Sequence, residues 1–233
     1  MTIAFVSAGS PVYGFNTTIT PVAPTDTAGT GLILITAELA GSDTISTPAG
    51  WTQLDASAGM GQCRAFGLVA TGSDTMPSFT WGNQWAFAIV LAFTGLDSSF
   101  SAAFAAAGRQ TNQTTNISGP AVSRTPSQNG ALALFYGERN KTSTTDGTTY
   151  TAPTNFTMAA SGQHTGTSVS FGISYWIQSA ATTVSANLAM TGSSSESAVQ
   201  ACQGIYLGIL AGSGSVVPHP PIAQGGMNVQ VCM

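Results

Sequence analysis

Charge is what this sequence has least of. Lys, Arg, Asp and Glu together make up 6% of its 233 residues, with five cations and nine carboxylates, where about a quarter is usual. The cations Arg64, Arg109, Arg124, Arg139 and Lys141 are too few and too scattered to track phosphates, and the formal net charge is −4. No nucleic-acid partner is expected. Histidine is scarcer than either the cations or the carboxylates, with two residues. His164 sits in a Gly-rich loop, Ser161 to Gly166, and His219 lies between prolines. A hydrolase triad needs an activated serine with a histidine and a carboxylate, and no G-x-S-x-G elbow surrounds any serine. The carboxylates form no D-x-D cluster and no EF-hand spacing, so no metal and no cofactor are expected. Asp43 and Asp74 each fall in a Gly-Ser-Asp-Thr turn, where the carboxylate caps its own backbone. Three cysteines, Cys63, Cys202 and Cys232, make an odd number and no disulfide framework. The first two read as small buried hydrophobes, and Cys232 is the one placed to pair between chains. No apolar run is long enough to span a bilayer as a helix. The start, Met1 to Val6, lacks the basic residues and apolar core of a secretion signal, which predicts either assembly in a cytoplasm, the option Met1 favours, or a signal that this sequence does not include.

What is present is strand after strand, cut by turn residues. The stretch Thr47 to Asp97 organises the rest. Thr47-Pro48-Ala49-Gly50 is a turn, because proline presets φ and glycine tolerates positive φ. Trp51 to Leu54, Cys63 to Ala70 and Phe79 to Trp81 then read as strands, closed by Thr71-Gly72-Ser73-Asp74 and Gly82-Asn83. Ala86 to Phe93, AFAIVLAF, is too short for a spanning helix and reads as a strand buried on both faces. Ahead of this stretch, Ile3–Val6 and Thr17–Val22 are short extended pieces split by Gly9-Ser10-Pro11, an arm or a set of edge strands. Leu32 to about Leu39 is a further strand.

Behind it, Ser98 to Gly108 has helical character from its alanines and predicts at most one or two turns. Residues 109–129 read as a polar connector. Ala131–Tyr136 and Ala198–Leu210 are strands, and Thr142–Thr149 is a polar loop or hairpin. Ser168–Gln178 alternates with period 2: Val169, Phe171, Ile173, Tyr175 and Ile177 share one face, while Ser168, Ser170, Ser174 and Gln178 share the other. Trp176 interrupts that polar face. With Trp85 it is a candidate for stacking on a sugar, although Trp85, like Trp51 and Trp81, also reads as core.

The two halves align. Gly31–Leu34 corresponds to Gly130–Leu134, Thr47–Thr52 to Ala152–Thr157, and Ala86–Phe93 to Ala198–Leu207. The pattern predicts an all-β, two-sheet, jelly-roll-like β-sandwich with an internal pseudo-two-fold duplication. The expected organisation is an arm or edge strands at 1–27, one sandwich domain at 28–210 with halves at about 28–97 and 125–210, and a Gly/Pro-rich tail at 211–233. The tail is too polar and broken to fold alone. Val217, Pro218, Pro220, Pro221, Val229 and Val231 are the residues expected to lie on a neighbouring subunit, with Asn228–Val231 adding a strand to its sheet edge.

The run T-P-A-G-W-T-x-L at Thr47–Leu54, with V-A-T-G-S-D at Val69–Asp74, F-T-W at Phe79–Trp81 and the apolar run Ala86–Asp97, resembles a β-sandwich domain of tailed-phage virion proteins. The second half is similar from Gly130 to Tyr136. The resemblance covers about residues 28–210 and implies no catalytic residues. It implies a non-enzymatic structural protein of a phage virion, decorating the capsid or another exterior surface; the N-terminal arm and the C-terminal tail are expected to contact neighbouring subunits. Its expected partners are other virion proteins and further copies of itself. The rival expectation is a carbohydrate-binding, host-recognition module of a tail fibre or adhesin, with a host surface glycan as partner.

Overall fold

A computed structural model describes residues 2–15, 17–38, 45–55, 63–81, 85–100, 104–113, 116–118, 122–124, 132–141, 149–163, 169–178, 184–186, 189–191 and 199–212. Among these residues there is no helix, and every named strand pairing is antiparallel. The first part of the chain forms β1 (Ala4–Ala8), β2 (Val12–Phe15), β3 (Thr18–Ile19), β4 (Gly31–Glu38), β5 (Thr52–Gln53), β6 (Cys63–Val69), β7 (Phe79–Thr80) and β8 (Trp85–Thr94). The second part forms β9 (Phe104–Gln113), β10 (Asn116–Ser118), β11 (Val122–Arg124), β12 (Leu132–Lys141), β13 (Thr149–Thr151), β14 (Thr157–Gln163), β15 (Val169–Ile177), β16 (Val184–Ala186), β17 (Ala189–Thr191) and β18 (Val199–Ile209).

Two large sheets result. One has the order β1-β8-β4-β6-β5, with β2 also on β8; the other has the order β14-β15-β12-β18-β9. Strands β1 and β2 share one side of β8: Ala4 to Ala8 face Thr94 to Leu91, and Val12 to Phe15 face Ala88 to Trp85. Between them the Gly9 amide donates to the Val90 carbonyl at 2.8 Å. A Cβ on Gly9 would run into the Val22 carbonyl, so the close approach of that backbone requires glycine.

Period-2 alternation sorts the side chains of the first sheet onto two buried faces. Ile33, Ile35, Ala65, Phe87, Ile89, Leu91 and Phe93 face the second sheet and share one core with Leu132, Phe171, Ile173, Leu207 and Ile209. Leu32, Leu34, Phe66, Ala88 and Val90 point the other way, into a second core closed by Ile19, Trp51, Phe79 and Trp81. The covering layer there is the small β3–β7 sheet. Strand β8 is therefore buried along both faces, as its continuous apolar run predicts.

The helical expectation for Ser98–Gly108 is overturned from Phe104 onward. That segment is the start of β9, in register with β18 from Phe104↔Gly208 to Gln113↔Val199. Alanine favours helix by under 1 kcal/mol per residue, less than a full ladder of inter-strand bonds supplies. The connector expected at 109–129 likewise contains the end of β9 and the strands β10 and β11.

Candidate functional site

Three of the four tryptophans have described side chains. Trp81 is buried, and its indole N–H donates to the Thr36 hydroxyl at 3.3 Å. That hydroxyl in turn donates to the Phe87 carbonyl at 2.8 Å. Trp51 lies in the same outer core. Both are core residues, as expected. Trp176 is half-buried, and its ring lies 5.9 Å from that of Phe156 at 58°. It packs against a neighbouring aromatic at a tilt. Trp85 opens β8 opposite Phe15; its side chain lies outside the described residues, as do Val217, Pro218, Pro220, Pro221, Val229 and Val231, both histidines, Asp43 and Cys232. Phe15 is 48% exposed.

The amphipathic reading of Ser168–Gln178 needs a correction. Phe171 and Ile173 enter the inter-sheet core with Tyr175 and Ile177 packed against it, yet Ser170, Ser174 and Gln178 are buried too. A second layer covers that face. The Tyr150 hydroxyl pairs with the Ser170 hydroxyl at 2.8 Å, and the Tyr150 ring lies over Gly172, where a Cβ would come within 2.6 Å of it. The Ser174 hydroxyl is buried without a hydrogen-bond partner among the described residues. Gly172 is also one of four glycines in a row across the sheet: it opposes Gly137, Gly137 opposes Gly204, and Gly204 opposes Gly108. The signal was in the sequence, but only the register assembles it.

The titratable chemistry concentrates at one pair. Asp55 is fully buried, and its Oδ2 lies 3.1 Å from Nη1 of Arg64, which is 18% exposed. Asp55 Oδ1 and Arg64 Nε have no hydrogen-bond partner among the described residues. Burial pushes the Asp55 carboxyl above the usual aspartate range, offset in part by the Ala65 backbone amide and the Arg64 charge. Burial also holds the Tyr13 phenol well above the usual tyrosine range; its ring lies 6.1 Å from Phe171. Asp74 behaves as a turn cap, accepting from the Thr71 amide at 2.7 Å and the Gly72 amide at 3.3 Å. No group of three or more His, Cys, Asp or Glu gathers among the described residues.

No family model, curated protein or solved structure matches the chain. Among the described residues the geometry is one of packing: two buried tryptophans, the Asp74 turn cap and one ion pair at the edge of a sheet.

Proposed function

We propose that the chain is a non-enzymatic structural protein of a tailed-phage virion, decorating the capsid or another exterior surface, with its C-terminal tail gripping neighbouring subunits. The observation that carries this reading is the double covering of the sheets. The first sheet buries one face on its partner and the other under short strands, in a chain with only 6% charged residues. Such a body is stabilised by apolar burial at about 25 cal/mol per Å². Its Thr/Ser surface lacks the charge that normally keeps molecules apart.

The reading includes an internal duplication. Written from the β1 edge, the first sheet runs β1-β8-β4-β6-β5, and from the β9 edge the second runs β9-β18-β12-β15-β14. The two orders match place for place when β8 is paired with β18, β4 with β12, β6 with β15 and β5 with β14. The same turn precedes β5 and β14. The Trp51 amide donates to the Pro48 carbonyl at 3.1 Å, and the Phe156 amide to the Pro153 carbonyl at 2.9 Å. Gly50 and Asn155 hold the matching left-handed positions, with φ of 81° and 70°. A jelly-roll-like sandwich made by doubling one unit fits these features.

The test is the mass of the purified chain beside one ending at residue 212. Stable oligomers from the full chain and a folded, smaller species from the shortened one support the tail as an assembly clip. Equal masses remove the clip. A glycan array with Trp176→Ala as control then takes up the rival reading, which Trp176 favours only by being half-exposed.

A further inference from the structure

The two main sheets have four edges, and three of them carry devices that discourage pairing with another chain. The β1–β2 edge has a register shift between Phe5 and Ser7 and is broken by Gly9-Ser10-Pro11. The β14 edge has a register shift between Met158 and Ala160. The β5 edge is two residues long. Bulges twist an edge away, proline cannot donate to a ladder, and a two-residue strand offers little to bind. Strand β9 is the exception. It is ten residues long, keeps one register with β18 from end to end, contains no proline, and holds a single charge, Arg109. Its other side pairs with no described strand.

We propose that the outer edge of β9 is the acceptor for the C-terminal tail of a second copy of this chain, which adds Asn228–Val231 as an antiparallel strand. This rests on the clip reading above and names its receiving surface. Three features single out the tail and its origin. The described chain ends at Gly212, whose amide donates to the Gly95 carbonyl at 2.8 Å, beside the bridge Leu96↔Ala211. That is the end of the sheet where β9 begins, since Phe104 opposes Gly208. A tail laid from there along its own β9 would run parallel to it, whereas every named pairing in this fold is antiparallel. A copy related by a two-fold axis brings its tail in from the opposite direction without a reversal. The fifteen residues 213–227 reach up to about 50 Å when extended, farther than the roughly 33 Å length of β9. The tail carries no Asp, Glu, Lys or Arg, so the added strand sets no like charge against Arg109.

The experiment uses the full chain throughout. Light-scattering mass and residue-level amide exchange are measured for the natural protein, for Val229→Asp with Val231→Asp, and for Gln110→Pro and Thr111→Pro separately. Successive amides of a strand point to opposite sides, so one of the two prolines removes an outward donor and the other disturbs the β18 ladder. The expected result is a natural oligomer in which the alternate β9 amides that point away from β18 are protected along with those bonded to it. The tail variant loses both the mass and that alternate protection, and the proline variant that stays folded is reduced in mass. If the tail variant dissociates while β9 exchange is unchanged, the clip stands and β9 is not its acceptor. If the folded proline variant dissociates but the tail variant does not, the edge binds a second β9 and the tail is the wrong occupant. A natural protein that is already monomeric overturns both the clip and this acceptor. Should neither proline variant fold, the exchange comparison decides by itself.

Discussion

Phe87 of the first sheet and Phe171 of the second stack face to face, with ring centroids 5.1 Å apart and planes 6° from parallel. Around them Tyr13 tilts onto Phe171, while Phe5 stacks on Tyr175 at 4.9 Å farther along. These contacts join the two sheets, so the sheets share a core and are not neighbours tethered by a linker. Phe87→Ala is expected to cost about 3–5 kcal/mol, the usual loss for a buried phenylalanine. Combined with Phe171→Ala it should show a coupling of about 0.5–1.5 kcal/mol. Denaturant melts of the two single variants and the double variant measure this, and strict additivity would mean the rings do not support each other.

The Asp55–Arg64 pair predicts an unusual pH response. Burial raises the folded-state pKa of Asp55 above its unfolded value of about 4. A raised folded pKa means the folded state holds its proton longer. The stability this residue contributes is present below the unfolded pKa and is lost as pH rises through the folded value. Melting temperatures of the natural protein and Asp55→Asn, followed from pH 7 down to 4, should converge as Asp55 takes up its proton. The asparagine variant should be the more stable at neutral pH. Arg64→Met leaves a buried carboxylate without its partner and should cost about 3–5 kcal/mol at neutral pH, with part of the loss recovered on acidification. A gap between the natural and Asp55→Asn melts that does not change with pH would show that Asp55 does not titrate in this range.

Thr36 receives the Trp81 indole N–H and donates to the Phe87 carbonyl, with all three residues buried. Thr36→Val keeps the side-chain shape and removes the acceptor. The expected cost is about 1–3 kcal/mol, because the Trp81 donor is left buried and unsatisfied. Thr36→Ser should retain most of the stability, and chemical denaturation of the pair compares them directly.

Much of the fold was legible because the features that specify it are local. The apolar run of β8, the turn at Thr47–Gly50 and its echo at Ala152–Asn155 are written in consecutive residues. The errors fall where distant residues decide. Ala105, Ala106 and Ala107 carry a helical preference, and only pairing with β18 places them in a strand. Ser170 looks solvent-facing until Tyr150, twenty residues before it, folds over it. Asp55 looks like the start of an ordinary loop; in the fold it is buried and paired with Arg64 across the strand pair. The candidate site was less legible than the fold. Half-exposure of Trp176 follows from its contact with Phe156, which no period-2 count reveals.

The paired turns before β5 and β14 make a conformational prediction. Gly50 and Asn155 both adopt positive φ, a region that glycine enters freely, asparagine tolerates and other residues resist by about 1–2 kcal/mol. Gly50→Ala should therefore destabilise by about that amount, with nothing within 4 Å of the added Cβ to cause a clash. Gly50→Asn should cost less than Gly50→Ala, and Asn155→Gly should be close to neutral. Thermal melts that rank alanine equal to asparagine at position 50 would contradict the left-handed geometry.

Gly172 tests the layer over the second sheet. A Cβ there meets the Tyr150 ring at 2.6 Å and the Tyr150 Cβ at 2.8 Å, so the clash involves the base of that side chain as well as its ring. Gly172→Ala must push Tyr150 outward and strain its bond to Ser170, at a cost of about 1–3 kcal/mol. Tyr150→Phe keeps the ring and removes only the hydroxyl contact, so its loss should be nearer 1 kcal/mol. The informative variant is Gly172→Ala with Tyr150→Ala. Because the tyrosine is then absent, the added methyl has room, and the double variant should be less destabilised than the sum of its parts. If the two losses simply add, Tyr150 does not rest on Gly172, and the burial of Ser170 needs another cover.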